Sequence, residues 1–280
     1  MFVSQNLVFL ELQKTGGSHI LKLLSQYVQG VSVGKHNRLD HGSAEKFVIG
    51  SIRNPWDWYV SLWAYGVGGR GAIHSRTLKR LEFDYYYRML PKSMGKNWLT
   101  PRELILAIFH DSQKPTIEWG KVYQDAGDPE QFREWLRMML CNERSFDFGE
   151  GFAFSPVSQH AGLMTYRYLR LFTLGDQLYR DHSLATKSGI IDFDKKYNVV
   201  KAMIRTEFLE DDFIAALEMA GNSLSAEQVT SIKDSGKTNT SNRKKAAFYY
   251  DRQTVELVAN REEFLIEKYG YEPPCLEAAS

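Results

Sequence analysis

Five consecutive residues near the start of the chain, Lys14-Thr15-Gly16-Gly17-Ser18, have the types expected of an anion-binding turn. The glycines let the backbone come close to a phosphate, the lysine adds a full positive charge, and the two hydroxyl groups add donors. The Walker pattern is not met because the lysine precedes the glycines, so an ordinary ATPase or GTPase is not favoured. An ordinary glycine turn with a surface lysine is the alternative. We refer to residues 14–18 as the glycine loop.

A second segment with phosphate chemistry runs from Arg53 to Ser61. The guanidinium fork of Arg53 and the hydroxyl of Ser61, about two helical turns further on, can converge on one phosphate. The alternative is simply a helix that Pro55 starts after a strand ending in arginine. Residues 57–59 are interpreted as packing or capping residues rather than ligands.

The elements around both segments would place them at the ends of strands. Leu7–Leu12 is apolar enough for a buried strand, and apolar residues at helical spacing predict a helix over Ile20–Val28. Phe47–Ile52 predicts a strand and Trp56–Ala64 a helix. The glycine loop therefore lies between a strand and a helix N-terminus, where free N–H groups and the helix dipole favour an anion.

Alternating strands and helices predict an α/β chain in three layers, with a central, mostly parallel sheet flanked by helices. Further strands are predicted at Val31–Val33, Leu169–Leu174 and Val199–Ile204. Further helices are predicted at Pro101–His110, Pro129–Asn142, Glu210–Ala220 and Thr254–Tyr269. We interpret residues 1–280 as one domain with an insertion at about 66–165.

Composition narrows the classes of function. A hydrophobic content of 43% supports a large core, and a net charge of +1 argues against a nucleic-acid partner. Cys141 and Cys275 lie in no metal-ligand cluster, so we expect no metal site, no disulfide and a reducing cytoplasm. No apolar run reaches the roughly 18 residues that a membrane span needs, so no membrane partner is expected. The oligomeric state stays open.

Phe9–Ser18 and Arg53–Ser61 resemble two motifs of the sulfotransferases that use 3′-phosphoadenosine 5′-phosphosulfate (PAPS). The first resembles F-[IL]-H-[IVL]-P-K-[TS]-G-[GT]-[TS], except that Glu11 and Gln13 replace histidine and proline. The second satisfies R-[ND]-P-x-[DE]-[RW]-x-x-S throughout. The resemblance implies a P-loop-NTPase-like sulfotransferase fold, PAPS as donor, and adenosine 3′,5′-bisphosphate as product, with no metal.

The same resemblance assigns roles to the two segments. Lys14 would stabilise the leaving phosphate, and Thr15, Ser18 and the backbone N–H groups of Gly16, Gly17, Ser18 and His19 would hold the 5′-phosphate. Arg53 and Ser61 would hold the 3′-phosphate.

Two later segments resemble the family more weakly. Ile204–Glu210 resembles a strand end near the adenine and implies a nucleotide contact for Arg205. Asn239–Lys244 resembles a loop that closes over the nucleotide and implies contacts for Ser241, Arg243 and Lys244. A merely solvated basic loop is the alternative for the second segment.

A hydroxyl acceptor needs a general base. His36 is the first candidate because Lys35-His36 follows the predicted second strand, where the family carries its base. Glu11, directly beside the glycine loop, is the main rival, and His19, His74 and His160 are further ones. A structural or surface role is the alternative for His36.

The acceptor is expected to be a small molecule that receives the sulfuryl group on a hydroxyl or an amine. A natural product fits better than a polyanionic glycan because the chain is nearly neutral. Aromatic residues of the insertion could line its pocket or belong to the core. Two other functions stay open: a P-loop-like kinase or other phosphotransferase, and a non-catalytic nucleotide-binding module.

Overall fold

A computed structural model describes residues 1–34, 36–39, 45–82, 100–235 and 243–276. Their sheet is open and contains five strands in the order β3-β1-β2-β4-β5. The strands are β1 (Phe2–Ser4), β2 (Leu7–Leu10), β3 (Gly30–Ser32), β4 (Phe47–Ile52) and β5 (Ala202–Arg205). The structure therefore confirms that the chain belongs to the α/β class.

The prediction that the sheet is mostly parallel is wrong, because the sheet is mixed. β2 pairs parallel with β4 and β4 parallel with β5, whereas β1 is antiparallel to both β2 and β3. The reversal occurs in the short connection between β1 and β2, where the Leu7 N–H donates to the Ser4 hydroxyl at 3.0 Å. The apolar run Leu7–Leu12 thus supplies only the second strand, and an unpredicted strand precedes it.

Fourteen α-helices lie in the described residues. They are α1 (Gly17–Tyr27), α2 (Pro55–Val67), α3 (Ala72–Leu78), α4 (Pro101–Ser112), α5 (Thr116–Lys121), α6 (Pro129–Leu140), α7 (Val157–His160), α8 (Leu163–Phe172), α9 (Lys187–Tyr197), α10 (Leu209–Met219), α11 (Ala226–Lys233), α12 (Ala246–Tyr249), α13 (Arg252–Arg261) and α14 (Glu263–Tyr269). None of the helices in this part of the chain has the length and apolar character that crossing a membrane requires.

One predicted strand is wrong. Leu169–Leu174 lies largely in α8, which continues the periodic apolar pattern that begins at Leu163. The remaining residues form only an isolated antiparallel bridge between Thr173 and Asn198. A short apolar run has the same composition in a buried helix and in a buried strand, so its length alone misleads.

The chain divides into two compact units, which are described separately. Unit 1 contains residues 1–54, 167–174 and 194–241, and unit 2 contains residues 55–166, 175–193 and 242–280. The proposed insertion at about 66–165 falls in unit 2, and its residues 83–99 lie outside the described part.

Unit 1 carries the sheet with helices on both faces. On one face Phe9 and Ile49 join Leu24 of α1 and Phe213 of α10 in a buried apolar cluster. The other face meets α8, since a Cβ built on Gly50 would lie 3.1 Å from Phe172. Burial of both faces explains why β2 reads as a continuous apolar run rather than an alternating one.

Unit 2 is helical and packs around aromatic residues. Fully buried members include Trp58, Trp63 and Trp135. A buried carboxylate, Glu262, accepts hydrogen bonds from the Tyr59 hydroxyl at 2.5 Å and from the Thr165 N–H at 2.9 Å. Burial raises the pKa of Glu262 above its usual 4.5, although these donors work in the opposite direction.

Candidate functional site: the glycine loop and its neighbours

The glycine loop leaves the sheet after β2 and enters α1. Lys14 has φ 64° and Gly16 has φ 79°, so two residues of the loop are in the left-handed region. Alternation of left-handed residues with ordinary ones turns successive backbone N–H groups toward one side, which forms a concave anion-binding arrangement. A left-handed lysine is uncommon, because its Cβ is strained there, and such residues concentrate at functional sites.

Four successive N–H groups at this turn have no acceptor among the described residues. The amides of Thr15, Gly16, Gly17 and Ser18 donate no hydrogen bond there. The next amide is different, because the His19 N–H donates to the Gly16 carbonyl at 2.9 Å. The available donors are thus residues 15–18, whereas the sequence predicted residues 16–19.

The side chain of Thr15 is used inside the protein. Thr15 is fully buried, and its hydroxyl donates to the Leu12 carbonyl at 2.7 Å. The Ser51 hydroxyl lies 2.7 Å from the same oxygen. Thr15 therefore has no hydroxyl hydrogen left for a phosphate, and only its backbone amide is available. Ser18, by contrast, is exposed and its hydroxyl forms no hydrogen bond with a described residue.

Glu11 lies directly against the loop. A Cβ built on Gly17 would lie 2.2 Å from Glu11 Oε1 and 2.3 Å from its Cγ, so the Glu11 side chain fills the space beside Gly17. Glu11 is 6% exposed, and its Oε2 has no hydrogen-bond partner among the described residues. A buried carboxylate oxygen without a donor is costly, and it marks this position as one that a donor group of a ligand can satisfy.

His36 is held beside Glu11. Its Nδ1 lies 2.9 Å from the Glu11 carbonyl oxygen. A carbonyl can only accept, so Nδ1 carries the hydrogen and the neutral ring keeps its lone pair on Nε2. The ring is exposed, and the residue has φ 56°. The sequence predicted that His36 follows the second strand, and the structure places its ring against Glu11, the first residue after β2.

Arg53 reaches the glycine loop itself. It follows β4, and its Nη1 lies 3.5 Å from the Lys14 carbonyl oxygen. Ser61, which the sequence paired with Arg53, lies on α2 in unit 2, where it is 6% exposed and its hydroxyl bonds to no described residue. Asn54 connects the two elements, and its N–H donates to Glu207 Oε1 at 2.8 Å.

Arg205 is engaged by an internal carboxylate. Its Nε and Nη2 donate to the two oxygens of Asp212 at 2.8 and 2.9 Å, and its guanidinium lies 4.7 Å from the centre of the Phe208 ring. Beside it, the Thr206 hydroxyl donates to the Ile52 carbonyl at 2.9 Å. In this arrangement Arg205 anchors β5 to α10.

His19 points into the interior of unit 1. Its Nε2 lies 3.6 Å from Glu210 Oε1 and 3.4 Å from the Ser235 hydroxyl. Burial lowers its pKa, partly offset by Glu210. These contacts are with α10 and the end of α11, so the structure does not bring the His19 ring to the loop amides.

The remaining predicted residues lie in unit 2 or outside the described part. Arg243 pairs with Asp57 at 3.3 Å, and Lys244 places its Nζ 3.8 Å from the centre of the Phe248 ring. His74 packs edge-on against Tyr123, with its pKa lowered by burial, and His160 ends α7. Ser241 and Lys35 lie outside the described residues.

Sequence reasoning missed the partners of these residues. Ser51 and Thr206 tie the loop and the strand ends together, and Asp212 engages Arg205. A serine inside the otherwise apolar run FVIGSI was the available signal for Ser51, since a buried hydroxyl needs a partner. Within the described ranges, no cluster of three or more His, Cys, Asp or Glu could hold a metal ion.

Comparisons with protein-family models, with curated proteins and with solved structures found no match to this chain.

Proposed function

We propose that the chain is a PAPS-dependent sulfotransferase that transfers the sulfuryl group to a hydroxyl or amine of a small acceptor. One observation carries the proposal: the four amides of residues 15–18 have no acceptor among the described residues and lie at the start of α1. Unsatisfied amides at a helix N-terminus are stabilised by a phosphate group.

The residues at the loop fit a nucleotide that carries phosphate. Gly16 and Gly17 present no side chain, and Lys14 and Arg53 bring two cations to the same turn. We assign the loop amides and Lys14 to the 5′-phosphate. Arg53 is assigned to the 3′-phosphate.

The proposed chemistry is an in-line displacement at sulfur. PAPS supplies the electrophilic sulfuryl group when bound. The acceptor oxygen or nitrogen forms a bond to sulfur while the bond from sulfur to the 5′-phosphate oxygen breaks. Lys14 and the loop amides stabilise the charge that grows on the leaving phosphate. His36 Nε2 takes the acceptor proton, and the Glu11 carbonyl holds the imidazole in the required tautomer.

One feature of the chain supports the location that we propose. Cys141 and Cys275 are free thiols, as expected in the cytoplasm that we propose for the protein. In the proposal the loop amides and the nearby cations are assigned to the donor, so no particular acceptor is named.

Calorimetric titration with adenosine 3′,5′-bisphosphate, and separately with ATP and Mg²⁺, tests the donor site. We expect binding of the bisphosphate, and a loss of at least tenfold in affinity for Lys14→Ala or Arg53→Ala, since each removes a charge-assisted contact worth about 1.5–3 kcal/mol. Lys22→Ala is the matched control, because Lys22 is an exposed lysine of α1 outside the loop. Preferential binding of ATP with Mg²⁺ would instead favour the kinase alternative.

Turnover is tested separately with PAPS labelled in its sulfuryl group and a panel of small alcohols and amines. Labelled product from the wild type, and almost none from Lys14→Ala, is the expected result. Tight binding of the bisphosphate without transfer to any member of a broad panel would favour the non-catalytic module.

A further inference from the structure

Two buried hydroxyls join the glycine loop to the sheet. Ser51 and Thr15 are both fully buried, lie 36 residues apart in the chain, and place their oxygens 2.7 Å from each other. Thr15 gives its only hydroxyl hydrogen to the Leu12 carbonyl. Ser51 must therefore be the donor of the pair, so a two-step chain of hydrogen bonds runs from Ser51 through Thr15 to Leu12.

Ser51 stands where the backbone pairing of β2 and β4 stops. The last paired residues of these strands are Leu10 and Gly50, and beyond them the loop leaves the sheet. On its other side Ser51 remains paired with Ile204 of β5. Beyond the end of the β2–β4 ladder, the hydrogen bond from the Ser51 hydroxyl to Thr15 thus attaches the glycine loop to β4.

The same strand end carries Arg53. Side chains alternate along a strand, so residues 51 and 53 point to the same side if the extended conformation continues. Arg53 Nη1 lies 3.5 Å from the Lys14 carbonyl, next to the Thr15 that Ser51 holds. Ser51 of β4 and Arg53 just after it consequently contact adjacent loop residues, the first through a neutral side chain and the second through a cationic one.

We propose that Ser51 is a positioning residue that sets the distance between the loop amides and Arg53. This inference rests on the proposed function, in which those two groups contact one doubly phosphorylated nucleotide. Ser51 does not touch the nucleotide itself and acts through Thr15. The hydroxyl of Thr15 accordingly serves loop geometry rather than phosphate binding.

The test combines three variants with one control. Ser51→Ala and Thr15→Val remove the link, whereas Thr15→Ser retains the hydroxyl. Ser158→Ala is the control, because Ser158 is a buried serine of unit 2 whose hydroxyl donates to the Ser155 carbonyl at 2.9 Å. Titration with adenosine 3′,5′-bisphosphate should show about tenfold weaker binding for Ser51→Ala and Thr15→Val, the size expected for one buried hydroxyl that loses its partner. Thr15→Ser and Ser158→Ala should bind within about twofold of wild type.

A double-mutant cycle separates positioning from general destabilisation. If Ser51 acts by setting the position of the loop relative to Arg53, then Ser51→Ala should cost much less in an Arg53→Ala background. Equal losses in both backgrounds, or unchanged binding by Ser51→Ala alone, would overturn the proposal.

Amide hydrogen exchange of His19 and Ile20 in the free protein provides a readout that needs no nucleotide, because both amides donate to the Gly16 carbonyl of the glycine loop. Faster exchange in Ser51→Ala, with unchanged exchange in Ser158→Ala, is expected because the link holds the loop. Unchanged exchange in Ser51→Ala refutes the link itself. If Ser51→Ala shows the faster exchange but the wild-type protein binds no bisphosphate, the link stands, whereas the proposed function and the role of Ser51 in ligand spacing are refuted.

Discussion

Replacing Gly17 with alanine should push the Glu11 side chain from its place. The new Cβ would lie 2.2 Å from Glu11 Oε1, 2.3 Å from its Cγ and 2.4 Å from its carboxyl carbon, so rotation of the carboxylate alone cannot relieve the overlap. Backbone strain does not contribute, since Gly17 is not among the residues with positive φ. The cost therefore reports on the contact with Glu11.

The expected magnitude combines two opposing effects. Overpacking of a filled site lowers the free energy of unfolding by about 1–3 kcal/mol. Alanine is intrinsically better than glycine in a helix by about 0.5–1 kcal/mol. Gly17→Ala alone should then destabilise by roughly 1–2 kcal/mol. In a Glu11→Ala background the overlap is gone, and the same substitution should stabilise by about 0.5–1 kcal/mol.

Urea denaturation followed by circular dichroism measures both values. Gly120→Ala in α5 is the control, because the nearest atom to its new Cβ would be 3.8 Å away, an ordinary contact. A Gly17→Ala protein as stable as wild type, or an equal cost with and without Glu11, would refute the proposed contact between Glu11 and α1.

Three further perturbations are expected to have distinct outcomes. His36→Ala should lower kcat for sulfuryl transfer by about 10²–10⁴-fold with little change in bisphosphate affinity, and normal turnover would move the base role to Glu11. Burial raises the pKa of Glu262 above 4.5, so over that pH range the folded chain keeps a proton that the unfolded chain releases. The free energy of unfolding should therefore fall as pH rises from about 4.5 toward the raised pKa, and this slope should be absent from a pH series of Glu262→Gln. Arg205→Ala should leave bisphosphate affinity within about threefold of wild type, because Asp212 engages the guanidinium and such a half-exposed ion pair contributes at most about 1 kcal/mol to stability. A tenfold loss of affinity by calorimetry would show that Arg205 contacts the nucleotide.

The sequence predicted the elements around the site well because these are its most apolar segments. β4 coincides with the predicted Phe47–Ile52, and α2 begins at Pro55, one residue before the prediction. The helices α4 and α6 begin at the predicted prolines, where Thr100 and Asp128 accept hydrogen bonds from the first turns.

Strand direction could not be predicted in the same way. An apolar run does not say whether its neighbour runs parallel or antiparallel, and β1 is only three residues long. Its antiparallel pairing depends on a short reversal around Ser4 that carries none of the usual glycine signals. The predicted helix over Thr254–Tyr269 likewise divides into α13 and α14 at Glu262, whose carboxylate is directed inward.

The side-chain partners within the site were also beyond the reach of sequence. Residue types identified Lys14, Arg53 and His36 as chemically capable, and the structure brings Arg53 to Lys14 and His36 to Glu11. Which hydroxyls are already used, however, depends on contacts between residues far apart in the chain. Thr15 illustrates this, because its buried hydroxyl lies 2.7 Å from the hydroxyl of Ser51, 36 residues further along the chain.

The order in which unit 1 is assembled along the chain has a consequence for biosynthesis. β2 and β4 lie within the first 54 residues, but β5, which covers the open edge of β4, is made only at residues 202–205. A nascent polypeptide that has emerged up to residue 166 thus exposes a strand whose N–H and C=O groups lack their neighbour, which is a template for aggregation. Neither terminal half of the polypeptide, produced alone, contains all of unit 1.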